Sequence, residues 1–325
     1  METKLISIIT PAYNAGLFIE ETIVSVQAQT YPHWEMIIVN DGSKDNTEEI
    51  VLNLVAKDNR IKYFSQKNGR QGKARNYALE QAKGSFIAFL DADDLWVPEK
   101  LEKQLKVIYE TGADLVHSQG WVFTENISNK VSKIKCEPGF ADSIILLKSA
   151  LNGYCVPILG ILAKSASIKS VGGFNEDLRL QNAEDYHLIL KLIDADVKFY
   201  GMQDELIYYR LHSFQITASD SNATIQALWA LYLSDLKNIT AGVKHHLITN
   251  RLNRFLLHDL SEHNTNKINE IVAFYRIPLR AFVKWFVIKI FILLGKSAFN
   301  WFGYRFLDLR LLKKSDKTPS SINFN

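Results

Sequence analysis

The chain has 325 residues, of which 47% are hydrophobic and 22% are charged. This composition is typical of a globular protein with a large apolar core, and it excludes an intrinsically disordered chain. The net charge is only +3, and nine basic residues but a single acidic one lie between positions 276 and 314. The rest of the chain is therefore mildly acidic, which argues against a nucleic-acid-binding protein.

The first half of the sequence alternates between strand and helix patterns. Short apolar runs predict buried strands at 5–10, 35–39, 61–64, 86–90 and 114–123. Apolar residues at helical spacing predict helices at 19–29, 45–55, 74–82 and 98–109. Because helices separate the strands, we expect an α/β fold with a doubly wound, mostly parallel sheet flanked by helices.

The pattern after residue 124 is less regular. It predicts strands at 155–163, 197–201 and 206–210, a helix at 183–193, and helices from residue 224 onward. We therefore expect three regions: a nucleotide-binding and catalytic domain at 1–215, a helical C-terminal extension at 216–314, and a disordered tail at 315–325. The tail is polar, contains Pro319 and shows no periodicity.

Polar residues follow several of the predicted strands. Tyr13 and Asn14 follow the first strand, Asp41 and Gly42 follow the second, and residues 68–73 follow the third. In an open parallel sheet, ligands bind at the carboxyl ends of the strands. Several strand ends that carry polar groups together predict a nucleotide site, although Asp41 in an Asp-Gly-Ser sequence also fits an ordinary turn.

Three aspartates follow the fourth predicted strand in the sequence FLDADD, at Asp91, Asp93 and Asp94. Carboxylates this close repel one another and raise each other's pKa unless a cation neutralises them. Oxygen ligands of this kind suit Mg²⁺ or Mn²⁺, and such an ion would bridge a diphosphate. The alternative is a solvated acidic turn before the helix that begins near Pro98.

Six motifs occur in a specific order: SIITPAYN at 7–14, VNDGSKDNT at 39–47, GKARNYAL at 72–79, FLDADD at 89–94, GGFNE at 172–176 and AEDYHLILKL at 183–192. This ordered set resembles the family 2 glycosyltransferases, inverting enzymes with the GT-A fold, over residues 4 to 215. The resemblance implies transfer of a sugar from a nucleoside-diphosphate sugar, with UDP favoured, to a hydroxyl of a glycan or lipid-linked acceptor in cell-surface polysaccharide assembly.

The resemblance also implies roles for the residues that match the family's motifs. Asp185 is expected to be the general base, with Glu184 as its partner. Asp93, Asp94 and His212 are expected to bind the divalent metal, Mg²⁺ or Mn²⁺. The nucleotide is expected to contact Pro11, Tyr13, Asn14, Asp41, Lys73, Arg75, Asp91 and Ala92.

Less specific interpretations remain open for these residues and for the function. Asp185 also fits an acidic residue that interacts favourably with a helix N-terminus, and His212 fits a structural side chain. A sugar nucleotidyltransferase would need a glycine-rich basic loop after the first strand, and YNAGLF at 13–18 does not match one. A non-catalytic nucleotide-sugar-binding protein would be expected to have lost the acidic residues that are present here.

The basic segment 276–314 is also rich in aromatic and aliphatic residues, but its uncharged runs are too short to span a membrane. It fits a segment that lies on an anionic membrane surface, with packing against the protein itself or a second subunit as the alternative. The apolar run at 5–9 is too short for a secretory signal. We therefore expect a cytoplasmic protein, peripheral on the inner face of the cell membrane if the segment binds lipid.

Overall fold

The structure is a computed structural model that describes residues 3–143 and 156–213, with the isolated residues 146–147, 226–227, 230–231, 233–234 and 237. The chain divides into two compact units, residues 1–251 and 252–325. The second unit lies outside the described residues, and so do the predicted membrane-associating segment, the disordered tail and most of the helical extension. None of the helices in the described ranges is both long enough and apolar enough to cross a membrane.

Strands and helices alternate through the first part of the chain, as the sequence predicts. The elements are β1 (Ile6–Ala12), α1 (Ile19–Gln27), β2 (Trp34–Asn40), α2 (Thr47–Val55), β3 (Ile61–Ser65), α3 (Arg70–Gln81), β4 (Phe86–Phe89), β5 (Leu95–Trp96), α4 (Lys100–Thr111), β6 (Leu115–Thr124), β7 (Asn126–Ile134), β8 (Gly139–Phe140), β9 (Ile161–Lys164), α5 (Ser165–Ser170), α6 (Glu184–Asp194) and β10 (Phe199–Leu211).

All the strands join in one sheet with the order β3-β2-β1-β4-β9-β6-β10-β5, and β7 and β8 pair with β6 and β10. The pairs β1–β2, β2–β3, β1–β4 and β6–β10 are parallel. Strand β9 runs antiparallel between β4 and β6. The expected α/β sheet is confirmed, with a parallel first half and a second half in which parallel and antiparallel pairs mix.

Buried apolar residues explain why the first strands lie in the middle of the sheet. All seven residues of β1 and all seven of β2 are buried. Helices cover both faces of such a sheet, so its strands read as continuous apolar runs. Each fully buried isoleucine, such as Ile8, contributes roughly 1.5–3 kcal/mol relative to an exposed one.

The second half of the sheet differs from the sequence predictions in three places. The strand predicted at 155–163 is the short β9, which follows a 3-10 turn at Ile158–Gly160. The two strands predicted at 197–201 and 206–210 form the single strand β10, whose register shifts between Met202 and Ile207. Strand β7 was not predicted, because it is exposed almost throughout and has no apolar alternation.

The register of the parallel strands brings their carboxyl ends to one edge of the sheet. Ala12 pairs with Asn40, and Asn40 pairs with Ser65, so β1, β2 and β3 end side by side. Strand β4 pairs with β1 up to Phe89, which places Asp91 just beyond the same edge. The polar residues that follow these strands therefore lie together.

Candidate active site

Asp41 lies at the carboxyl edge, where its carboxylate holds the beginning of α3. One carboxylate oxygen accepts hydrogen bonds from the Gln66 side chain at 2.7 Å and the Gly69 N–H at 2.8 Å. The other accepts from the Arg70 N–H at 2.8 Å. A carboxylate offers about four acceptor positions, so these three donors use most of them. Tyr13, which follows the neighbouring strand, is 45% exposed.

Asn14 and Pro11 shape this edge from within the protein. The Asn14 N–H donates to the Ser43 hydroxyl at 2.9 Å, and the Asn14 side-chain oxygen accepts from the Lys44 N–H at 2.8 Å. Asn14 therefore joins the loops that follow β1 and β2. Pro11 is buried in β1 opposite Val39.

Arg75 connects the acidic loop after β4 to the first turn of α6. Its guanidinium is buried and forms ion pairs with Asp91, at 2.6 Å, and with Glu184. Residues from α3, the β4 loop and α6 therefore meet at one point. The nearby charges of Asp91, Glu184 and Asp185 raise the pKa of Arg75, although burial acts in the opposite direction.

Asp185 lies beside this ion-pair network, at the second position of α6. Burial, followed by the charge of Glu184, raises the pKa of Asp185 to about 7, while the Arg75 guanidinium lowers it. The carboxylate accepts a hydrogen bond from the Tyr186 N–H at 2.6 Å. A carboxylate with a pKa close to neutrality is suited to accept a proton during a reaction.

Asp93 and His212 approach each other from distant parts of the chain. The Nε2 atom of His212 lies 3.0 Å from Oδ2 of Asp93, and the two side chains are 15% and 28% exposed. A carboxylate and an imidazole are both common metal ligands. His212 follows β10, so its position depends on the pairing of that strand.

Asp94 points into the protein. It is fully buried, and its Oδ1 accepts a hydrogen bond from the Arg210 N–H at 2.9 Å. Burial, followed by the charges of Asp93 and Asp91, raises the pKa of Asp94 well above its usual range. Its predicted role as a metal ligand stays a prediction, and its contacts here are those of a structural residue.

The remaining predicted residues are Lys73, which lines an open cleft, and Ala92. The cleft is a shallow opening between the first turn of α3, the segment 175–181 and Glu184, and Lys73 is exposed along its wall. Ala92 is buried, and its carbonyl accepts a hydrogen bond from the Thr22 hydroxyl at 3.0 Å.

Asp93 and His212 are the residues of this site that could hold a divalent cation. Within the described part of the chain, no three histidine, cysteine or acidic side chains converge in a metal-type cluster. Asp93 and His212 do form a pair. Mg²⁺ is commonly held by one or two carboxylates together with water and substrate phosphates, and Asp93 supplies one such carboxylate.

The chain is similar in sequence to known glycosyltransferases. The sequence profile described as Glycosyl transferase family 2 matches residues 7–156. The putative teichuronic acid biosynthesis glycosyltransferase TuaG of Bacillus subtilis (strain 168) is 33% identical over 229 residues, which cover 70% of this chain and 87% of TuaG. The chain belongs to glycosyltransferase family 2.

Two further comparisons extend over parts of this glycosyltransferase. The UDP-Glc:alpha-D-GlcNAc-diphosphoundecaprenol beta-1,3-glucosyltransferase WfgD of Escherichia coli is 41% identical over 128 residues, 39% of this chain and 49% of WfgD. The crystal structure of S. aureus TarS 1-349 in complex with UDP-GlcNAc has a TM-score of 0.62 and 22% identity, and covers 87% of this chain and 79% of that chain. The TarS structures support the expected GT-A fold.

Two contacts of this glycosyltransferase were missed by the sequence interpretation. Gln66 donates to Asp41, and Arg210 donates from its Nε to the Asp93 carbonyl at 2.8 Å. A signal for Arg210 was present, because residues two apart in a strand share a face and His212 follows at that spacing. Gln66 lies in a loop, where no periodicity could have identified it.

Proposed function

We propose that this glycosyltransferase inverts the anomeric carbon as it moves a sugar from a UDP-linked donor to a hydroxyl of a glycan or lipid-linked acceptor in cell-surface polysaccharide assembly. The observation that carries the proposal is the ion-pair network of Arg75 with Asp91 and Glu184. It joins the acidic loop after β4, which is suited to a nucleotide and a cation, to the helix that carries Asp185.

The names of the relatives support the donor and acceptor classes. TuaG is named for teichuronic acid biosynthesis, and WfgD for a UDP-Glc donor and a diphosphoundecaprenol-linked acceptor. TarS was crystallised with UDP-GlcNAc. A UDP-linked donor and a polymer or lipid-linked acceptor are consistent with all three.

The carboxyl edge of the sheet supplies groups for the nucleoside. Tyr13 is exposed enough to pack on a nucleobase, and Asp41 is the proposed acceptor for a base N–H. Lys73 extends along the nearby cleft, where its charge favours a phosphate. Pro11, Asn14 and Ala92 shape the surrounding backbone rather than offering free side-chain groups.

Asp185 is the proposed general base. Its carboxylate takes the proton from the acceptor hydroxyl as that oxygen forms a bond to the anomeric carbon. The bond from that carbon to the diphosphate oxygen breaks, and the nucleoside diphosphate leaves with the electron pair. Attack from the face opposite the leaving group inverts the carbon. General-base catalysis of this kind contributes about 10²–10⁴-fold in rate.

Asp93 and His212 are the residues that would hold Mg²⁺ or Mn²⁺. The bound ion would supply a positive charge that stabilises the leaving diphosphate. Asp91 keeps its ion pair with Arg75 through Oδ1 in this arrangement, and its Oδ2 takes no part in that ion pair.

The two alternative functions fit these contacts less well. A sugar nucleotidyltransferase needs a basic, glycine-rich loop after β1, and residues 13–18 contain one glycine and no basic residue. A non-catalytic binding protein has no need of a carboxylate whose pKa is raised to about 7 beside the donor cleft.

The site also bears on where the enzyme acts. A donor nucleotide sugar and a lipid-linked acceptor meet at the inner face of the cell membrane, and we propose that location for a cytoplasmic, peripheral protein. The basic and apolar segment 276–314 is the proposed membrane contact on its composition alone.

The proposed function is tested by thermal unfolding of the full chain with UDP-Glc, UDP-GlcNAc or GDP-Man, each with Mn²⁺ or with EDTA. We expect a UDP-sugar to raise the Tm with Mn²⁺ and to lose this effect in EDTA, because a ligand that binds only the native state stabilises it, by about 2.7 kcal/mol at 100 times its Kd.

Two variants serve as comparison in that experiment. Asp93→Asn should lose the metal-dependent stabilisation. Asp204→Asn should keep it, because Asp204 forms an exposed ion pair with Lys103 away from the site. Absence of stabilisation by every nucleotide sugar would contradict the proposed donor class, and full stabilisation in EDTA would contradict the role of the metal.

A further inference from the structure

The side chain of Arg210, two residues before His212, reaches from β10 to the loop that carries Asp93. It is only 4% exposed. Its Nε donates to the carbonyl of Asp93 at 2.8 Å, and one Nη donates to the Glu21 carboxylate of α1 at 2.6 Å. A third bond, at 3.4 Å, reaches the carbonyl of Glu125 at the β6–β7 turn. Arg210 therefore fixes the acidic loop, α1 and the β6–β7 turn together.

Asp94 contacts Arg210 at the backbone of β10. The Arg210 N–H donates to Asp94 Oδ1 at 2.9 Å, so the backbone of β10 is held by the acidic loop. The guanidinium of the same residue holds the backbone of that loop at Asp93. Because one bond holds the backbone of β10 and the other holds the backbone of the acidic loop, the two bonds together resist both sliding and separation of these segments.

Aromatic rings restrain the same guanidinium and reach the histidine. The Arg210 guanidinium carbon lies 5.0 Å from the Phe18 ring centroid and 4.7 Å from that of Phe123. The Phe18 ring also packs on the His212 ring, with centroids 4.4 Å apart. Arg210 and His212 therefore contact the same aromatic ring at the end of β10.

We propose that Arg210 and Asp94 form a clasp that sets the separation of Asp93 and His212 for a divalent cation. Arg210 is then a positioning residue, and Asp94 acts through its hydrogen bond rather than as a ligand. The proposal rests on the proposed function, because it assumes that Asp93 and His212 hold the metal. Residues that orient metal ligands typically change metal affinity about 10–100-fold when they are replaced.

Two variants of Asp94 distinguish a role in the clasp from a role as a direct metal ligand. Asp94→Asn keeps a carbonyl oxygen that can accept the Arg210 N–H, but it removes the negative charge that a cation prefers. Asp94→Leu gives a side chain with the same number and branching of heavy atoms as asparagine, but it cannot accept the bond. The clasp requires that asparagine is tolerated and that leucine is not, whereas a ligand role requires that both variants fail.

The test is the affinity of the full chain for Mn²⁺ in the presence of UDP, measured from the electron paramagnetic resonance signal of free Mn²⁺. Arg210→Lys keeps the charge but loses the fork that reaches both the Asp93 carbonyl and Glu21. We expect about 10–100-fold weaker Mn²⁺ binding, with unchanged UDP binding in EDTA. Asp94→Asn should bind Mn²⁺ as the wild type does, and Asp94→Leu should bind it weakly.

Control variants keep the proposal falsifiable. Arg60→Lys removes an equivalent fork, paired with Asp58 and packed on Trp34 outside the site, and it should leave Mn²⁺ binding unchanged. If Arg210→Lys does not fold, Glu21→Gln loosens the same guanidinium from an exposed position and should weaken Mn²⁺ binding to a smaller extent. Wild-type affinity in Arg210→Lys, or in Glu21→Gln in its place, would overturn the clasp. Unchanged affinity in Asp93→Asn would overturn the metal site of the proposed function.

Discussion

Among single residues, Arg75 sets the charge balance around the proposed base. One buried guanidinium contacts Asp91 and Glu184, and its charge also acts on Asp185. Burial and the Glu184 charge raise the pKa of Asp185 to about 7, and Arg75 keeps it from rising further. A base with this pKa is largely deprotonated just above neutral pH, yet basic enough to accept a proton.

The raised pKa of Asp185 predicts the pH dependence of transfer. A protonated carboxyl cannot accept the acceptor's proton, so kcat/KM should fall about tenfold per pH unit below about pH 7. Asp185→Asn should lower the rate of transfer about 10²–10⁴-fold and should remove the fall in rate at low pH. A UDP-sugar should still raise the Tm of this variant. Transfer is measured as UDP release from pH 5 to 9. An acid limb that persists in Asp185→Asn would assign the titration to another group.

The sequence predicted individual site residues where a motif surrounds them. Asp91 and Glu184 were expected at the site, and the structure joins them through Arg75. Asp94 was expected as a ligand but is fully buried. A sequence cannot show which of three adjacent carboxylates faces the cleft, because that depends on the pairing of a strand more than a hundred residues later.

At the scale of elements, the parallel pair β6–β10 carries His212 to the site. Gly120 of β6 is in register with Ile207 of β10, and a Cβ at Gly120 would come within 2.1 Å of the Ile207 carbonyl oxygen. Glycine is therefore required at this position by the close approach of the neighbouring backbone. A side chain there would displace β10 and, with it, His212.

Gly120→Ala should lower both stability and metal binding. Overpacking of this kind costs about 1–3 kcal/mol, and the displaced strand should weaken Mn²⁺ binding. Gly112→Ala is the matched control, because φ is +74° at this helix end and a Cβ there would contact nothing within 4 Å. It should cost a similar ~1–2 kcal/mol through backbone strain alone. Urea unfolding and Mn²⁺ affinity are measured for both. Equal Mn²⁺ affinities would contradict the role assigned to the strand pair.

Apolar periodicity predicted the elements of the parallel half, and in the mixed half it predicted β6 and α6 but missed β7. Strands β1 and β2 are buried along their whole length, so their apolar runs are unambiguous. Strand β7 is exposed on both faces, and it pairs with β6 as the second strand of a hairpin. The orientation of β9 depends on pairing with both β4 and β6, which no local pattern encodes.

For the whole molecule, the sheet brings together two halves with different tasks. The parallel strands β1 to β4 present the residues proposed to bind the nucleoside, and the later strands with α6 present the proposed base and the proposed metal-binding histidine. The order of six motifs along the chain was sufficient to predict the family, which the comparisons confirm. The boundaries of the C-terminal regions and their membrane contact remain predictions.

The central claim is that the proposed metal ligands, Asp93 and His212, and the proposed base, Asp185, face one donor from opposite sides. The most direct measurement is a crystal structure of Asp185→Asn with UDP-GlcNAc and Mn²⁺, with the ion located by anomalous scattering. We expect the ion at Asp93 and His212, and residue 185 facing the anomeric carbon with room for an acceptor oxygen about 3–3.5 Å from that carbon. An ion bound elsewhere, or an anomeric carbon turned away from residue 185, would contradict the account.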